Sequence, residues 1–333
     1  MKSARIEEMA SIQPKLQKGD EIRVIAPSMS WHRKQQAAYE RAVKFLESQG
    51  FVVSFGRNVK AEERFGTGPV EARLQDLHDA YADAKVKAII ALGGGWSANA
   101  LLPGIDWELL RRNPKPLIGF SDITVLVNAV FAMTGTVNYL GPNFSGLGRR
   151  KGSEYSRENL LNVLTGSQPP SLVKSRQWLR EDAGPLVKTR PWKVLQAGTA
   201  EGTLVGGNIG TFYLLQGTPY QPRLDRPIIL AVEDDDEAGK NSAREFDRRL
   251  ESLLQLPGMR ENLRGVLVGR FQPSSGVTLP DVAYILTRMQ LGGIPIMYDL
   301  DFGHTWPMMT LPIGGEVQIR ADNNLTQVNL LKW

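Results

Sequence analysis

Short apolar runs alternate with helical patterns along roughly the first 140 residues of the chain. Tyr39, Ala42, Val43 and Leu46 recur at the spacing of one helical face, and Gly50 is a typical helix stop. Strands that alternate with helices in this way are typical of a parallel sheet with crossover helices. The predicted strands lie at 21–26, 51–54, 86–92 and 116–120.

A second set of strand patterns follows at 202–205, 228–232, 265–268 and 294–298, with a helical pattern at 243–254. Gly and Pro pairs interrupt the stretch between the two sets, around one helical pattern at 154–164. We therefore predict an α/β fold, with an N-terminal parallel-sheet sandwich domain (1–150) and a smaller mixed α/β C-terminal domain (196–333). Residues 151–195 are predicted to form a linker and active-site loop, with the active site at the domain interface.

The composition is that of a soluble globular enzyme, with 42% hydrophobic and 23% charged residues. The absence of cysteine excludes disulfides and every cysteine nucleophile. The basic residues behind the net charge of +5 are dispersed, so no nucleic acid polymer is predicted as a partner. Residues 1–20 contain no signal-peptide run and no segment is apolar enough to span a membrane, so we expect a cytoplasmic protein.

Ser121 is the first candidate for chemistry, because it lies where the strand at 116–120 turns into an apolar helical pattern. A serine at such a turn is lifted out of the sheet, and the helix N-terminus can stabilise a developing negative charge. The alternative is that Ser121 only caps the helix. The segment is not Gly-x-Ser-x-Gly, since Ile123 replaces the second glycine.

A run of three glycines, Gly93 to Gly95, follows the strand at 86–92. Glycines allow a backbone to approach a ligand closely and to present N–H groups to an anion or oxyanion. The run is neither a Walker loop nor a dinucleotide fingerprint. A tight turn without further function is the alternative.

Glu233 ends an apolar strand, and active sites of open α/β sheets lie beyond the carboxyl ends of strands. The acidic residues after it, 234–237, are predicted to be a solvated loop, with a magnesium site as the alternative. His32 and His78 belong to polar helical patterns, whereas His304 follows a strand on a glycine-preceded turn. A serine nucleophile needs an imidazole base, and that imidazole needs a carboxylate to orient it.

These motifs together resemble the LD-carboxypeptidase family of serine peptidases, and especially its microcin C immunity branch. The resemblance covers nearly the whole chain. The matching segments are 19–28, 94–103, 119–124, 141–143, 206–208, 217–218, 233–234, 246–248, 303–304 and 311–314.

The resemblance implies that Ser121 is the nucleophile, His304 the base and Glu233 the residue that orients the base. It places the oxyanion hole at the N–H groups of Asp122 and of the Gly94 and Gly95 turn. It also implies catalysis without a metal or other cofactor, and a homodimer.

The expected substrate is a small molecule or short peptide that carries a free carboxylate or an adenylate. Murein-cleaving members of the family usually have an arginine just before the paired glycines, where this chain has Leu92 or Gly93. The segment from Trp96 to Asn99 resembles the immunity branch more closely. Trp96 and Asn99 are both predicted to contact substrate. Removal of the terminal D-Ala from murein tetrapeptide is the alternative activity, and non-enzymatic nucleotide binding is the alternative of another class.

Trp178 and Trp192 lie among basic side chains in the predicted active-site loop. Aromatic rings beside basic groups suit a substrate with a flat base and an anionic group. The resemblance implies that one tryptophan of this loop stacks on adenine. The alternative is that both rings pin the loop to the body of the protein.

Overall fold

The computed structural model describes residues 11–180, 184–322 and 325–333. Its strands, numbered in chain order, are β1 (Glu21–Ile25), β2 (Val52–Phe55), β3 (Val86–Ala91), β4 (Leu117–Gly119), β5 (Asn138–Leu140), β6 (Ser171–Leu172), β7 (Gln177–Leu179), β8 (Leu186–Lys188), β9 (Lys193–Gln196), β10 (Gly198–Asn208), β11 (Ile228–Glu233), β12 (Leu263–Gly269), β13 (Ile296–Leu300), β14 (Leu311–Ile313), β15 (Glu316–Ala321) and β16 (Thr326–Lys332).

The α-helices are α1 (Gln36–Ser48), α2 (Val70–Ala82), α3 (Trp107–Arg112), α4 (Thr124–Thr134), α5 (Phe144–Leu147), α6 (Glu154–Thr165), α7 (Ile209–Tyr213), α8 (Ser242–Leu254), α9 (Met259–Asn262) and α10 (Leu279–Arg288). Short 3₁₀ segments occur at Arg33–Gln35, Arg64–Gly66, Ala98–Gly104, Ser121–Ile123, Gly239–Asn241 and Pro273–Ser275.

The first sheet has the strand order β14-β5-β4-β3-β1-β2. Strands β1 to β5 are parallel, as the alternation of strands and helices predicts. Strands β1, β3 and β4 end near one another, because the register pairs Ile25 with Ala91 and Ile90 with Ile118. The loops that follow these three strands therefore meet at one edge of the sheet.

The second sheet has the order β6-β16-β15-β10-β11-β12-β13-β9, with β10 to β13 parallel and antiparallel strands on both sides. The segment predicted as a linker contributes to this sheet, since β6 pairs with β16 and β9 pairs with β13. Strands β7 and β8 form a separate hairpin. The connecting segment is thus tied to the second sheet by short strand pairings at 171–172 and 193–196.

Helix α4 contacts both sheets, because it follows β4 of the first sheet and hydrogen-bonds to β10 of the second. Asn128 donates from Nδ2 to the Gly206 carbonyl (2.8 Å) and accepts from the Gly206 N–H (3.2 Å). A Cβ atom at Gly207 would lie 2.6 Å from Thr124 Oγ1. Because Gly207 has no side chain, α4 can lie directly against β10. Strand β10 pairs with β11, which ends at Glu233.

Strand β14 comes from the C-terminal part of the chain but belongs to the first sheet, where it pairs antiparallel with β5. The predicted division placed residues 311–313 in the C-terminal domain. The polypeptide therefore returns to the first sheet before it completes the second. No helix among the described residues is long and apolar enough to cross a membrane.

Lys115 stabilises the end of the first sheet that lies away from Ser121. Its ammonium is buried and donates to the carbonyls of Ala80 (2.9 Å), Tyr81 (2.6 Å) and Asp83 (2.6 Å), at the C-terminus of α2. Burial lowers the pKa of Lys115 to about 8. The Asp83 carbonyl also accepts from the Val86 N–H (3.1 Å), so the lysine is the side-chain donor that satisfies the carbonyls of Ala80 and Tyr81 at this helix end.

We predict that Lys115→Met lowers the free energy of unfolding by about 2–4 kcal/mol, because it leaves these carbonyls without their shared donor. Urea denaturation measures the change. Lys87→Met is the matched control, since the exposed Lys87 donates to a single carbonyl, that of Ala84, and its loss should cost less than about 0.5 kcal/mol. Equal stability of the two variants would contradict the assigned role of Lys115.

Candidate active site

Ser121 lies in the sharp turn between β4 and α4, with a left-handed backbone conformation (φ 63°). This conformation is strained for a residue with a Cβ atom, and such strain clusters at functional sites. Ser121 is not the N-cap of the structure that follows, since Phe120 caps the 3₁₀ turn and Ile123 caps α4. Its Oγ atom instead lies 2.9 Å from His304 Nε2.

His304 links Ser121 to Glu233, because its other ring nitrogen, Nδ1, lies 2.7 Å from Glu233 Oε2. Ser121 follows a strand of the first sheet, Glu233 ends β11 of the second sheet, and His304 lies in the loop after β13. The structure therefore brings the three residues into one hydrogen-bonded chain across the interface of the two sheets. Their separation in sequence gives no hint of this proximity.

Two glycines let the backbone close around Glu233. A Cβ atom at Gly303 (φ 103°) would lie 2.7 Å from Glu233 Oε2, and a Cβ atom at Gly269 would lie 2.8 Å from Glu233 Cβ. Real Cβ atoms do not approach so closely, so both positions exclude other residues. Glu233 is consequently only 1% exposed.

The electrostatic environment strongly favours a charged imidazole. Burial lowers the pKa of His304, but the charge and hydrogen bond of Glu233, with smaller effects of Asp235 and Asp234, outweigh it and raise the pKa to about 9. Within the described residues, Glu233 Oε1 has no hydrogen-bond partner. The charge of this carboxylate therefore acts mainly on the ring it contacts.

The glycine run passes directly beside Ser121. A Cβ atom at Gly94 would lie 2.9 Å from Ser121 Cβ, and the Gly94 carbonyl accepts a hydrogen bond from the Met29 N–H (3.0 Å). In a trans peptide the N–H points opposite to the carbonyl, so the Gly95 N–H points away from Met29. In the described part of the chain, neither the Gly94 nor the Gly95 N–H has an acceptor. Donors of this kind suit an oxyanion.

A cavity of about 400 Å³ opens onto Ser121. Its lining includes Met29, Gly94, Asn143, His304 and Trp306. Among the described residues that line it there is no carboxylate, and Arg149 and His304 are the basic ones. The guanidinium of Arg149 lies 4.9 Å from the centre of the Trp306 ring. The cavity is thus shaped for a small ligand and favours an anionic one.

The acidic segment after Glu233 differs from the predicted solvated loop at its first residue. Asp234 is buried and contacts Arg249, with 3.1 Å between Oδ2 and Nη1. Burial, partly opposed by Arg249, raises the pKa of Asp234 to about 7. Asp235 accepts a hydrogen bond from Asn208 (3.1 Å). In the described part of the chain, no cluster of three or more His, Asp or Glu side chains is arranged to hold a metal ion.

Trp178 and Trp192 are both buried, 6% and 3% exposed, in contact with an ion-pair network rather than with the cavity. Trp192 donates from Nε1 to Asp301 (2.9 Å), and the Trp178 ring lies 4.7 Å from the Arg270 guanidinium. Arg270 in turn bonds to Asp299 and Asp301. In this arrangement the two rings pin the connecting segment to the protein, which was the alternative interpretation of their sequence pattern.

Trp96 follows Gly95, which lines the cavity, but is not itself a lining residue, and it is 50% exposed. Its ring meets that of Phe65 edge to face, with 6.4 Å between the ring centres. Phe65 is 76% exposed with φ 64°, and the neighbouring Gly66 carbonyl accepts from the N–H of Ser30, which lines the cavity. Asn99 is exposed on the 3₁₀ segment after the glycine run and does not line the cavity.

The site includes residues that the sequence analysis did not single out as site residues. Asn143 holds the turn before Ser121 by accepting from the Phe120 N–H (3.1 Å), and the Phe120 ring lies 5.3 Å from that of His304. Trp306 and Arg149 approach the cavity from distant segments. Asn143 and Ser28 have a signal, since they lie in the segments 141–143 and 19–28 that carry the family resemblance, and Ser28 also follows β1, beyond the carboxyl end of a strand.

Comparison with known proteins matches two family models to the chain. The LD-carboxypeptidase N-terminal domain of peptidase family S66 matches residues 22–141, and the LD-carboxypeptidase C-terminal domain matches residues 201–319. YocD of Bacillus subtilis (strain 168), a candidate carboxypeptidase, is 38% identical over 94% of this chain and 97% of its own length. A crystal structure of an MccF-like protein from Bacillus anthracis superposes with a TM-score of 0.94 at 37% identity, covering 97% of this chain and 100% of that chain.

Relatives of two kinds are similar to the chain. The murein tetrapeptide carboxypeptidase of Pseudomonas aeruginosa is 30% identical over 88% of this chain and 90% of that protein. The microcin C7 self-immunity protein MccF of Escherichia coli is 26% identical over 92% of each.

We predict that the imidazole of His304 titrates with a midpoint of about 9, and that Glu233→Gln lowers the midpoint, since burial is then opposed only by the smaller effects of Asp235 and Asp234. Heteronuclear NMR of the ring nitrogens measures both values. The chain has three histidines, and His78, whose pKa burial lowers, serves as an internal control that should not shift. A His304 midpoint that is unchanged in Glu233→Gln would contradict the electrostatic coupling.

Proposed function

The chain belongs to the LD-carboxypeptidase family and is a serine carboxypeptidase, and from this premise we propose that Ser121, His304 and Glu233 are its catalytic triad. The observation that carries the proposal is the hydrogen-bonded chain from Ser121 Oγ through the His304 ring to Glu233. The strained backbone at Ser121 and the adjacent glycine run add to it. The proposed reaction is hydrolysis of an amide bond in a small substrate.

In the proposed mechanism, Ser121 Oγ attacks the amide carbonyl carbon while His304 Nε2 takes its proton. Glu233 holds Nδ1–H and stabilises the imidazolium that forms. The N–H groups of Asp122 and of the Gly94 and Gly95 turn stabilise the oxyanion. His304 then protonates the leaving amine, and water hydrolyses the acyl-enzyme by the same steps. The neutral imidazole is the reactive form, so the raised pKa of His304 limits its population near pH 7.

For the substrate, we propose an acyl group joined by an amide bond to a nucleotide or a short peptide, with an anionic group near the bond that is cleaved. The anion-favouring cavity supports this choice. The exposed ring pair of Phe65 and Trp96, next in sequence to the cavity-lining Gly95, offers a surface on which a planar group could stack. MccF has been solved in complex with aspartyl sulfamoyl adenosine, at 24% identity and a TM-score of 0.84 over 96% of this chain and 98% of that chain.

Murein tetrapeptide is the second candidate substrate, and the Pseudomonas aeruginosa relative supports it. Sequence identity does not separate the two, because it is similar for both kinds of relative. We propose Trp96, rather than Trp178 or Trp192, as the tryptophan that meets substrate, since those two are buried. The homodimer and the contact of Asn99 with substrate stay predictions.

We predict that Ser121→Ala lowers the turnover number by several orders of magnitude without a change in melting temperature, because it removes the nucleophile from a half-buried turn. Hydrolysis is followed by chromatography with aminoacyl sulfamoyl adenosine, aminoacyl phosphoramidate and murein tetrapeptide as substrates. Ser252→Ala, at another half-buried serine on α8, should keep the wild-type rate. Wild-type turnover in Ser121→Ala would disprove the nucleophile assignment.

Trp96→Ala should lower kcat/KM for the adenosine-containing substrate by about 10-fold to 100-fold, since stacking on one base contributes about 1–3 kcal/mol. The same variant should leave cleavage of murein tetrapeptide within about threefold. Tyr284→Ala is the control, because Tyr284 is 69% exposed and lies on α10, which contributes no residue to the cavity lining and none next to the glycine run. Equal losses on the two substrates would remove Trp96 from nucleotide recognition and favour the murein peptide.

A further inference from the structure

The carboxylate of Asp122 is buried behind the nucleophile turn and does not line the cavity. Its Oδ2 atom accepts two hydrogen bonds, from Ser28 Oγ (2.5 Å) and from the Ala98 N–H (2.8 Å). Ser28 follows β1, Ala98 follows the glycine run after β3, and Asp122 follows β4. One carboxylate oxygen therefore joins the loops of three neighbouring strands at the edge where Ser121 lies.

Arg73, on α2, supplies the balancing charge from the same buried region. Its Nη1 donates to the Pro27 carbonyl (2.9 Å), the Ser97 carbonyl (3.1 Å) and Ser97 Oγ (3.0 Å). Burial raises the pKa of Asp122, while the hydrogen bond from Ser28 and the charge of Arg73 act in the opposite direction. The guanidinium thus favours an ionised Asp122 and holds the same two loops from their other side.

The glycine run is packed tightly between Ser28 on one side and Ser121 on the other. A Cβ atom at Gly95 (φ 144°) would lie 2.2 Å from Ser28 Oγ, the atom that donates to Asp122. On the other side, a Cβ atom at Gly94 would lie 2.9 Å from Ser121 Cβ. Any shift of Ser28 or Ala98 would therefore change the position of the Gly94 and Gly95 N–H groups relative to Ser121.

We propose that Asp122 is a positioning residue. Its carboxylate fixes the Gly94 and Gly95 turn against Ser121 and so sets the geometry of the oxyanion hole. This inference rests on the proposed function. Asp122 acts through the backbone and touches no substrate with its side chain. A negative charge close to an oxyanion would oppose catalysis, and Arg73 offsets that charge.

The test uses a small fluorophosphonate probe, so that it does not depend on knowing the substrate. Ser121 Oγ attacks phosphorus, an O–P bond forms, the P–F bond breaks and fluoride leaves, and His304 takes the serine proton. The phosphoryl oxygen occupies the oxyanion hole during attack. Intact mass spectrometry gives the rate of labelling at saturation and the probe concentration for half-saturation.

We expect Asp122→Ala to lower the saturating rate about 100-fold, the loss typical of a displaced oxyanion-hole donor, with half-saturation unchanged. Asp122→Asn keeps an oxygen acceptor of the same shape, so it should recover to within about tenfold of wild type. Ser28→Ala removes one of the two donors, and we expect a loss of about tenfold. Asp76→Ala is the matched control, because Asp76 is an equally buried carboxylate that bonds to Asn58, and its labelling rate should not change.

A wild-type rate in Asp122→Ala would overturn the inference, and so would an equal loss in Asp122→Ala and Asp122→Asn. If Asp122→Ala does not fold, Ser28→Ala tests the proposal instead. Labelling of Ser28→Ala at the wild-type rate would be incompatible with the proposed role of Asp122. Failure of the wild-type protein to label at Ser121 would instead disprove the proposed nucleophile. The two failures are therefore distinguishable.

Discussion

The contact between the buried carboxylate of Glu233 and the ring of His304 is the interaction on which the rest of the site depends. A carboxylate removed from water is destabilised by several kcal/mol unless it is paired. Here the pairing group is an imidazole whose pKa rises to about 9 in response. Glu233 and His304 therefore stabilise one another, and the backbone around them must leave room for the pair. Gly269 and Gly303 meet that requirement, since a side chain at either position would overlap Glu233.

The same constraint explains how two sheets can hold one site. Ser121 is fixed to the first sheet and Glu233 to the second, so their separation depends on how closely the sheets approach. Helix α4 sets that approach, because Asn128 bonds to Gly206 and Thr124 lies against Gly207 of β10. Strand β14 adds a second connection, since it leaves the His304 loop and pairs with β5. The geometry of the site is thus determined by packing well outside the cavity.

Local patterns in the sequence predict elements of this fold and indicate the three central residues of the site. The strands β1, β3, β4, β11, β12 and β13 all coincide with apolar runs, and Ser121, Glu233 and His304 follow or end such runs. Tertiary contacts decide what local patterns leave open. The aromatic and basic segment at 174–193 is compatible with a binding loop, but Asp299 and Asp301, more than a hundred residues later, bury its tryptophans in an ion-pair network. No local pattern encodes a partner at that distance. For the same reason β14 could not be assigned to the first sheet in advance.

The return of β14 to the first sheet has a consequence for how the protein matures on the ribosome. Ser121 and the glycine run are synthesised before His304 and before β14, the strand that closes the first sheet. Until then β5 is an open sheet edge, and open edges invite pairing with other chains. A nascent chain that has not reached His304 therefore presents an unpaired edge and lacks the hydrogen bonds that link Ser121 to Glu233. The hydrogen-bonded chain of Ser121, His304 and Glu233 and the closed sheet edge therefore both wait for the segment 304–313.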